Sequence, residues 1–426
     1  MVEAATSRVL GYRWVGLGAL WFAWLVNVMD RASVPSLLPF IRGELALDHS
    51  QVGLIGSIYL LGYAVAQFSA GILADRLGPK QTMHIAMVAI VLTFLTGLTG
   101  SFGQLLLLRI AVAVGEGHQW VPALRAQADW FPQKEKGRAA ALLVTAGLGG
   151  LGLMPLLASL TVATTGSWRA VFFWLAGAAA LALFILNRYF FSTPKDAVAA
   201  GRMGFAEFDY IREGLLRQTT GRKGLLRAVL RDRMLWVYSA LSFCNMAVYN
   251  GSVVWLASFL YEQHNFNVAA MGVVTSLPYF VGILALLLGG WLVDKHGAVK
   301  IMIAVAFAAM IPILYLIATV PSVVESLIPL VVLLGFFSHL SWTPIYSYQI
   351  RRYPKEIVGT AAGISSGIGM LGGFFSPLLA GYLVVQSDGG YSFHYVFIFL
   401  MAFAAISAAT ALLLREDRFV PAPVAR

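Results

Sequence analysis

Among the charged side chains inside long apolar stretches of the sequence, where a charge needs a partner, a cavity or a function, four are candidates for a role in the site. Asp30 and Arg31 are adjacent in one stretch, and Arg109 and Glu116 share a later one. A guanidinium is always charged and offers a planar fork that fits a carboxylate. A carboxyl group in apolar surroundings holds its proton more tightly than one in water. These residue types therefore indicate a site that binds an anion and a proton.

Arg31 is our candidate for the ligand of a substrate carboxylate. Asn27 lies one helical turn before it, so the two side chains share a face and Asn27 becomes a second candidate ligand. Asp30 is a candidate proton site. The alternative interpretation of this pair is a local ion pair that holds its helix against the neighbouring helices.

Glu116 is the main candidate for a coupling proton. It stands between Gly115 and Gly117, and small neighbours let another helix pack closely and exclude water from the carboxyl group. Arg109 is seven residues earlier, about two helical turns, on the same face. We interpret Arg109 as an electrostatic partner in proton coupling, and a buried structural brace is the alternative for both residues.

A second group of polar side chains lies in the other half of the sequence. Tyr249 and Asn245 are spaced four residues apart and would stack on one helical face, which predicts a face that lines a cavity. We interpret both as hydrogen-bonding ligands of the substrate, and His339, near Trp342, as a further cavity residue. His339 has no second ligand at i+3 or i+4, so we expect no metal site.

The elements that must position these residues are apolar. Of 426 residues, 59% are hydrophobic and only 12% are charged, about half the charged fraction of a soluble domain. Runs of this length cross about 30 Å of hydrocarbon as helices. We predict twelve transmembrane helices, approximately at 14–37, 50–73, 81–102, 105–130, 139–164, 168–191, 234–261, 268–292, 300–320, 326–350, 359–385 and 393–414.

The basic residues predict the orientation of these helices. If the N-terminus is cytoplasmic, 25 of the 30 Lys and Arg residues fall on the cytoplasmic side. We therefore expect both termini in the cytoplasm, and the net charge of +10 then faces anionic lipid rather than nucleic acid. The polar stretch 192–233 should form short surface helices and divide the chain into six-helix bundles at 1–191 and 234–426.

Two sequence matches between the halves of the chain indicate an internal duplication. The loops after the second and eighth runs match at an offset of 219 residues, and Pro132 and Pro354 belong to a second match at an offset of 222. We expect two pseudo-symmetric six-helix bundles, an architecture typical of alternating-access transporters. The loop match pairs Gly71, Asp75, Arg76 and Gly78 with Gly290, Asp294, Lys295 and Gly297, and Lys80 and Lys300 follow at an offset of 220.

The loop pattern at 71–80 resembles the signature of the major facilitator superfamily, and the resemblance covers the whole chain. It implies a conformational role for Asp75, Arg76, Asp294 and Lys295. Within the superfamily the chain resembles the anion:cation symporter family through Asp30-Arg31, through Glu116 and the stretch to 138, and through Tyr249 with Trp255-Leu256. That family usually carries a glutamine in its fifth span, which this chain lacks at 145–155, so we expect a less hydroxylated anion than a sugar acid.

These observations predict an integral, multi-pass protein of the inner or plasma membrane that carries a small organic anion with protons. The sequence contains no nucleotide-binding G-x-x-x-x-G-K-S/T motif, so an ion gradient must drive transport. We expect no enzyme activity, no cofactor and a monomer in contact with lipid. The alternative hypothesis is a proton-driven exporter of drugs or amphipathic lipids, which the Phe-, Trp- and Met-rich helices would also suit.

Overall fold

The structure, a computed structural model, describes residues 11–132, 135–215, 229–319, 324–353, 355–387 and 390–416. These residues are almost entirely helical. The principal helices are α1 (Tyr12–Leu45), α2 (His49–Leu77), α3 (Pro79–Val91, continued by a 3₁₀ segment, Leu92–Leu98), α4 (Phe102–Glu116), α5 (Trp120–Trp130), α6 (Lys136–Thr165), α7 (Arg169–Tyr189), α8 (Pro194–Ala199), α9 (Phe205–Leu215), α10 (Arg233–Ser258, continued by a π-helical segment, Phe259–Gln263), α11 (Val268–His296), α12 (Val299–Thr319), α13 (Val324–Leu340), α14 (Trp342–Arg352), α15 (Lys355–Gly381) and α16 (His394–Leu413).

Each predicted apolar run coincides with one helix or with two consecutive helices. The run 105–130 was expected to be continuous, and this expectation was wrong, because the run divides into α4 and α5. The run 326–350 contains α13 and α14, which are separated only by Ser341, and it still counts as one candidate span, Ser326–Gln349. Pro122 and Pro344 stand third in α5 and α14, where a missing N–H removes no intrahelical hydrogen bond. A proline in the first turn thus suits a new helix start.

Nine helices in the described part of the chain are long and apolar enough to cross a membrane, or ten if α2, bent by 44° between His49–Gln67 and Ser69–Leu77, is one span. The helix α1 and the pair α4 and α5 do not belong to this set. They carry the four charged candidates inside the apolar stretches. The charged part of the candidate site therefore lies on helices outside this set, whereas Tyr249, Asn245 and His339 lie on helices within it.

A two-stranded antiparallel hairpin, which the expectation of an all-helical chain did not include, joins α15 to α16. Its strands are β1 (Val385–Ser387) and β2 (Gly390–Ser392), and Val385 pairs with Ser392. Gly390 has a φ of 125°, a conformation that favours glycine. The polar stretch after α7 contains the short helices α8 and α9, as expected, and its residues 216–228 lie outside the described part of the chain.

The repeat offsets found in the sequence recur in the element bounds. Helices α2 and α11 are both 29 residues long, and their first residues, His49 and Val268, are 219 positions apart. Helices α5 and α14 are both 11 residues long and begin at Trp120 and Trp342, 222 positions apart. The same local sequence pattern thus builds the same element twice.

Two equivalent crossings join the first half of the chain to the second. On α2, a Cβ at Gly53 would lie 2.6 Å from the carbonyl oxygen of Pro377 in α15. On α11, a Cβ at Gly272 would lie 2.9 Å from the carbonyl oxygen of Pro155 in α6. Glycine therefore permits both helix pairs to approach at these points.

Ion pairs also join the two halves at the end of the molecule where α1 ends and α2 begins, which we call the Arg42 end. Arg42 Nη1 lies 3.1 Å and His49 Nε2 lies 3.0 Å from Glu262 Oε2. The guanidinium of Arg42 also lies 4.3 Å from the ring centroid of Tyr391. Among the salt bridges of the described residues, these two alone connect residues 11–191 with residues 229–416.

Candidate functional site

The four internal charges converge where α1, α2 and α4 meet. Arg109 Nη1 lies 4.0 Å from Asp30 Oδ2, and both side chains are buried. The hydroxyl of Tyr59 donates a hydrogen bond to Glu116 Oε2. Asp30 and Glu116 lie within electrostatic range of each other. Arg109 therefore contacts Asp30, rather than the Glu116 that the sequence favoured as its partner, although it also acts on Glu116 through space.

Glycine positions Glu116 at the end of α4. A Cβ at Gly117 would lie 2.5 Å from the Cβ of Ala66 and 2.9 Å from the carbonyl oxygen of Tyr63, both in α2. This close approach leaves the Glu116 side chain fully buried. The expectation that its glycine neighbours permit close packing agrees with this geometry.

Arg31 has different surroundings from Arg109. Its guanidinium carbon lies 5.4 Å from the ring centroid of Tyr63 and 5.9 Å from that of Tyr59. Within the described ranges, no carboxylate forms a salt bridge with it. It lies within electrostatic range of Tyr249 in α10, on the other half of the chain. Arg31 is thus a cation held by aromatic faces and available to an anion.

Asn27 joins α1 to the break between α4 and α5. Its Nδ2 lies 3.2 Å from Gln119 Oε1 and 3.4 Å from the backbone oxygen of Glu116, and it donates to both. Its side-chain oxygen is buried and has no partner among the described residues. Sequence reasoning missed Gln119, whose position three residues after Glu116 becomes informative only once the helix is known to break there.

Aromatic residues form the opposite wall of the site. The ring centroid of Tyr249 lies 5.0 Å from that of Trp342 and 5.8 Å from that of His339. Asn245, with Trp342 and Tyr346, lines a cavity of about 60 Å³ beside this cluster. The structure therefore brings Tyr249 and Asn245, both in α10, to the same region as His339 in α13.

The loop residues with a predicted conformational role lie at the opposite end of the molecule from Arg42. Asp75 accepts a hydrogen bond and forms a salt bridge with Arg125 of α5. Lys295 Nζ lies 4.6 Å from the ring centroid of Trp291. Arg76 and Asp294 are exposed. Asp75 thus contacts its own half of the chain, and so does every salt bridge described at this end.

The described residues contain no group of three or more His, Cys, Asp or Glu side chains that could hold a metal ion. The chemistry available at the site consists of two guanidinium groups, two carboxyl groups and the polar atoms of tyrosine, histidine and tryptophan. This set can bind an anion and move a proton between carboxyl groups, and it offers no activated nucleophile.

The amino-acid sequence was compared with known protein families and proteins. The sequence matches the family model described as Major Facilitator Superfamily over residues 20–273 and 241–426. It is similar to a probable sulfoacetate transporter of Cupriavidus necator, with 28% identity over 96% of this chain and 95% of the relative. It is also similar to a hexuronate transporter of Bacillus subtilis, with 26% identity over 86% of this chain and 87% of the relative.

A solved structure shares the fold. A bacterial homologue of the human lysosomal transporter Spinster, in an inward-facing and unoccupied conformation, superposes with a TM-score of 0.79 at 18% identity. The match covers 97% of this chain and all of that one. The predicted resemblance to the superfamily and to its organic-anion carriers is confirmed, as is the prediction of an integral, multi-pass membrane protein that is not an enzyme.

Proposed function

The chain belongs to the Major Facilitator Superfamily, and we propose that it carries a small organic anion across the membrane by alternating access, in symport with protons. The observation that carries this proposal is the environment of Arg31, a cation that faces tyrosine rings and forms no salt bridge within the described residues. A buried charge without a counter-ion is costly. A substrate carboxylate would supply that counter-ion.

The charges of the site support a monoanionic substrate group. Arg109 and Asp30 neutralise each other at 4.0 Å. If Glu116 is protonated, the net charge of the four residues is that of Arg31, one positive charge, and one substrate carboxylate balances it. Hexuronate, the substrate named for one relative, carries one carboxylate, whereas sulfoacetate, named for the other, carries a sulfonate as well.

Glu116 would bind the coupling proton. Its carboxyl group is fully buried, contacts the Tyr59 hydroxyl and has no salt-bridge partner in the described part of the chain. Ionisation there would cost several kcal/mol in apolar surroundings, so the substrate-loaded carrier would reorient with the proton bound. Asp30, next to Arg109, is the second candidate. Asn27, Asn245, Tyr249 and His339 would then contact the substrate, and Asp75, Arg76, Asp294 and Lys295 would act in gating.

The topology in this proposal has twelve spans and two six-helix bundles, 1–191 and 234–426, joined by a cytoplasmic linker at 192–233. The repeated bounds of α2 and α11 and of α5 and α14 support the two bundles. The distribution of Lys and Arg supports cytoplasmic termini. The carrier would work as a monomer.

The test is uptake into proteoliposomes with a more acidic exterior. Sulfoacetate, galacturonate and benzoate serve as labelled probes, and a protonophore is the control. We expect at least one anion to accumulate, and the protonophore to abolish accumulation. Accumulation that ignores the protonophore would reject proton coupling. Proton-driven transport of lipophilic drugs, with no anion accumulated, would favour the exporter instead.

A further inference from the structure

Three buried polar atoms lie together on the wall opposite Arg31. They are Tyr249 Oη, His339 Nε2 and Trp342 Nε1, and none has a hydrogen-bond partner among the described residues. The ring centroids of His339 and Trp342 lie 5.3 Å apart, and those of Tyr249 lie 5.8 Å and 5.0 Å from them. Native proteins leave few buried polar atoms unpaired because each costs free energy. Three in one cluster indicate that a ligand completes them.

The imidazole of His339 is held in a fixed orientation. Its Nδ1 lies 2.8 Å from the backbone oxygen of Gly335, which can only accept, so Nδ1 carries a proton. A Cβ at Gly282 in α11 would lie 2.6 Å from His339 Cγ, so the ring fits only because residue 282 is glycine. No carboxylate of the described residues forms a salt bridge with His339, and the ring is therefore neutral in its buried site. Its Nε2 is an acceptor.

The cluster thus offers two donors, Tyr249 O–H and Trp342 N–H, beside one acceptor, His339 Nε2. A hydroxyl group matches this set because its oxygen accepts while its hydrogen is donated. A second carboxylate would satisfy the donors but would place its charge against the lone pair of Nε2. An apolar end would leave all three atoms unpaired.

The walls between this cluster and Arg31 are aromatic. Arg31 lies within electrostatic range of Tyr249, Tyr279 and Tyr346. The ring of Tyr279 lies 6.1 Å from that of His339. Such walls favour an apolar body between the two polar ends of a ligand.

We propose that His339, with Tyr249 and Trp342, determines specificity by binding a hydroxyl at the far end of the substrate. The substrate class is a monocarboxylate with an apolar body and one distal hydroxyl. This inference rests on the proposed function, since Arg31 must bind the carboxylate. It concerns only the opposite end of the same ligand.

Binding to the purified full-length protein in detergent tests the inference without transport. The probes are three matched pairs: 4-hydroxybenzoate and benzoate, 4-hydroxybutyrate and butyrate, and 6-hydroxyhexanoate and hexanoate. Terephthalate serves as a dianion. In at least one pair the hydroxy acid should bind about 10-fold more tightly than its partner, the range of one hydrogen bond. Terephthalate should bind no more tightly than benzoate.

Two variants assign the preference to His339. His339→Phe keeps a ring but removes the acceptor, and it should reduce the ratio of the affinities for the hydroxy acid and the unsubstituted acid to less than about 2-fold. His339→Gln keeps an acceptor oxygen and should retain part of the preference. Equal melting temperatures of the variants and the wild type show that both fold.

The possible failures are distinguishable. If the unsubstituted acids bind through Arg31 but the hydroxyl adds less than 2-fold, or if His339→Phe keeps the preference, this inference is overturned and the proposed function stands. If no acid in the panel binds, or if binding is unchanged in Arg31→Lys, the proposed function fails and the inference fails with it.

Discussion

At the repeat offset of 219 residues, Asp30 and Arg31 in α1 correspond to Tyr249 and Asn250 in α10. The surrounding scaffold is the same in both halves. Gln127 donates a hydrogen bond of 3.0 Å to the backbone oxygen of Ala139, and 222 positions later Gln349 donates one of 3.5 Å to that of Ala361. The two halves thus share this internal hydrogen bond and differ in the residues that face the site.

The second broken helix shows the same difference. At the offset of 222 residues, Glu116 corresponds to Ser338, and Trp120 corresponds to Trp342. The break is kept, while the carboxyl group occurs only in the first half. The comparison teaches that the duplicated elements supply geometry, whereas single substitutions assign charge to one wall of the site and neutral hydrogen-bonding groups to the other.

The largest expected effect tests whether proton coupling belongs to the first half. Glu116→Gln should abolish accumulation of substrate against its gradient and spare exchange of internal for external substrate. Glutamine resembles the protonated carboxyl group and can still accept from Tyr59, so the loaded carrier can reorient. Both modes are measured in proteoliposomes, with the exposed Asp209→Asn as control. A variant that still concentrates substrate in response to pH would transfer the coupling role to Asp30.

The next effect tests whether Arg31 is the anion ligand. Arg31→Lys keeps the charge but loses the planar fork, so transport should fall by about 10- to 100-fold, equivalent to about 1.5–3 kcal/mol. Initial uptake rates measure the loss, and Arg188→Lys at an exposed position is the matched control. Normal transport by the Arg31 variant would make Arg31 a structural brace.

A smaller effect tests the equivalence of the two crossings. Gly53→Ala and Gly272→Ala each force a Cβ against a proline carbonyl oxygen, and we expect each to cost about 1–3 kcal/mol of stability. Gly18→Ala in α1 is the matched control, because no atom lies within 4 Å of its added Cβ. It should be neutral or slightly stabilising. Thermal unfolding in detergent measures all three, and a large difference between the two crossings would contradict their equivalence.

The smallest effect concerns the first residues of α1 and α10. A cation, Arg13, forms the ion pairs at the start of α1, and an anion, Asp232, forms the ion pair at the start of α10. Arg13 pairs with both Glu135 and Glu207, at 2.8 and 2.9 Å, whereas Asp232 pairs with Arg352 at 3.0 Å. Glu135→Gln leaves Arg13 one carboxylate and should cost about 0.5 kcal/mol. Asp232→Asn should cost more, about 1–2 kcal/mol, because it leaves a partly buried guanidinium without that charge.

The pH dependence sharpens this prediction. Burial raises the pKa of the Asp232 carboxyl, but hydrogen bonds from Arg352 and Tyr353 outweigh it, so the pKa lies below its ordinary value. A lowered pKa in the folded state stabilises the protein above the unfolded value of about 3.9 and ceases to do so as the pH falls below it. The difference in melting temperature between wild type and Asp232→Asn should therefore shrink below about pH 4. A constant difference would contradict the assignment.

The features that could be predicted from the sequence are those that follow from the free-energy cost of placing a charged side chain in lipid. Asp30, Arg31, Arg109 and Glu116 stand out because charges are rare in apolar runs, and the structure places all four at one site. The duplication was visible because loop residues with special backbone needs, such as Gly78 with a φ of 84°, recur at a fixed offset.

Contacts between helices distant in sequence could not be predicted in this way. Tyr59 and Tyr63 are ordinary residues of a membrane helix, and only the packing of α2 against α4 places them around Glu116 and Arg31. Hydrophobicity gives no signal for a break such as that after Glu116, because both sides of the break are apolar. Glu262 lies one residue beyond the predicted helix 234–261, and only the structure places it against Arg42.

The Glu262 carboxylate holds the two halves of the chain together at the Arg42 end. Arg42 and His49 both depend on Glu262 Oε2, and the other carboxylate oxygen, Oε1, is buried without a partner among the described residues. Because both ion pairs end on the same oxygen atom, a movement of the Glu262 side chain alone would break both of them.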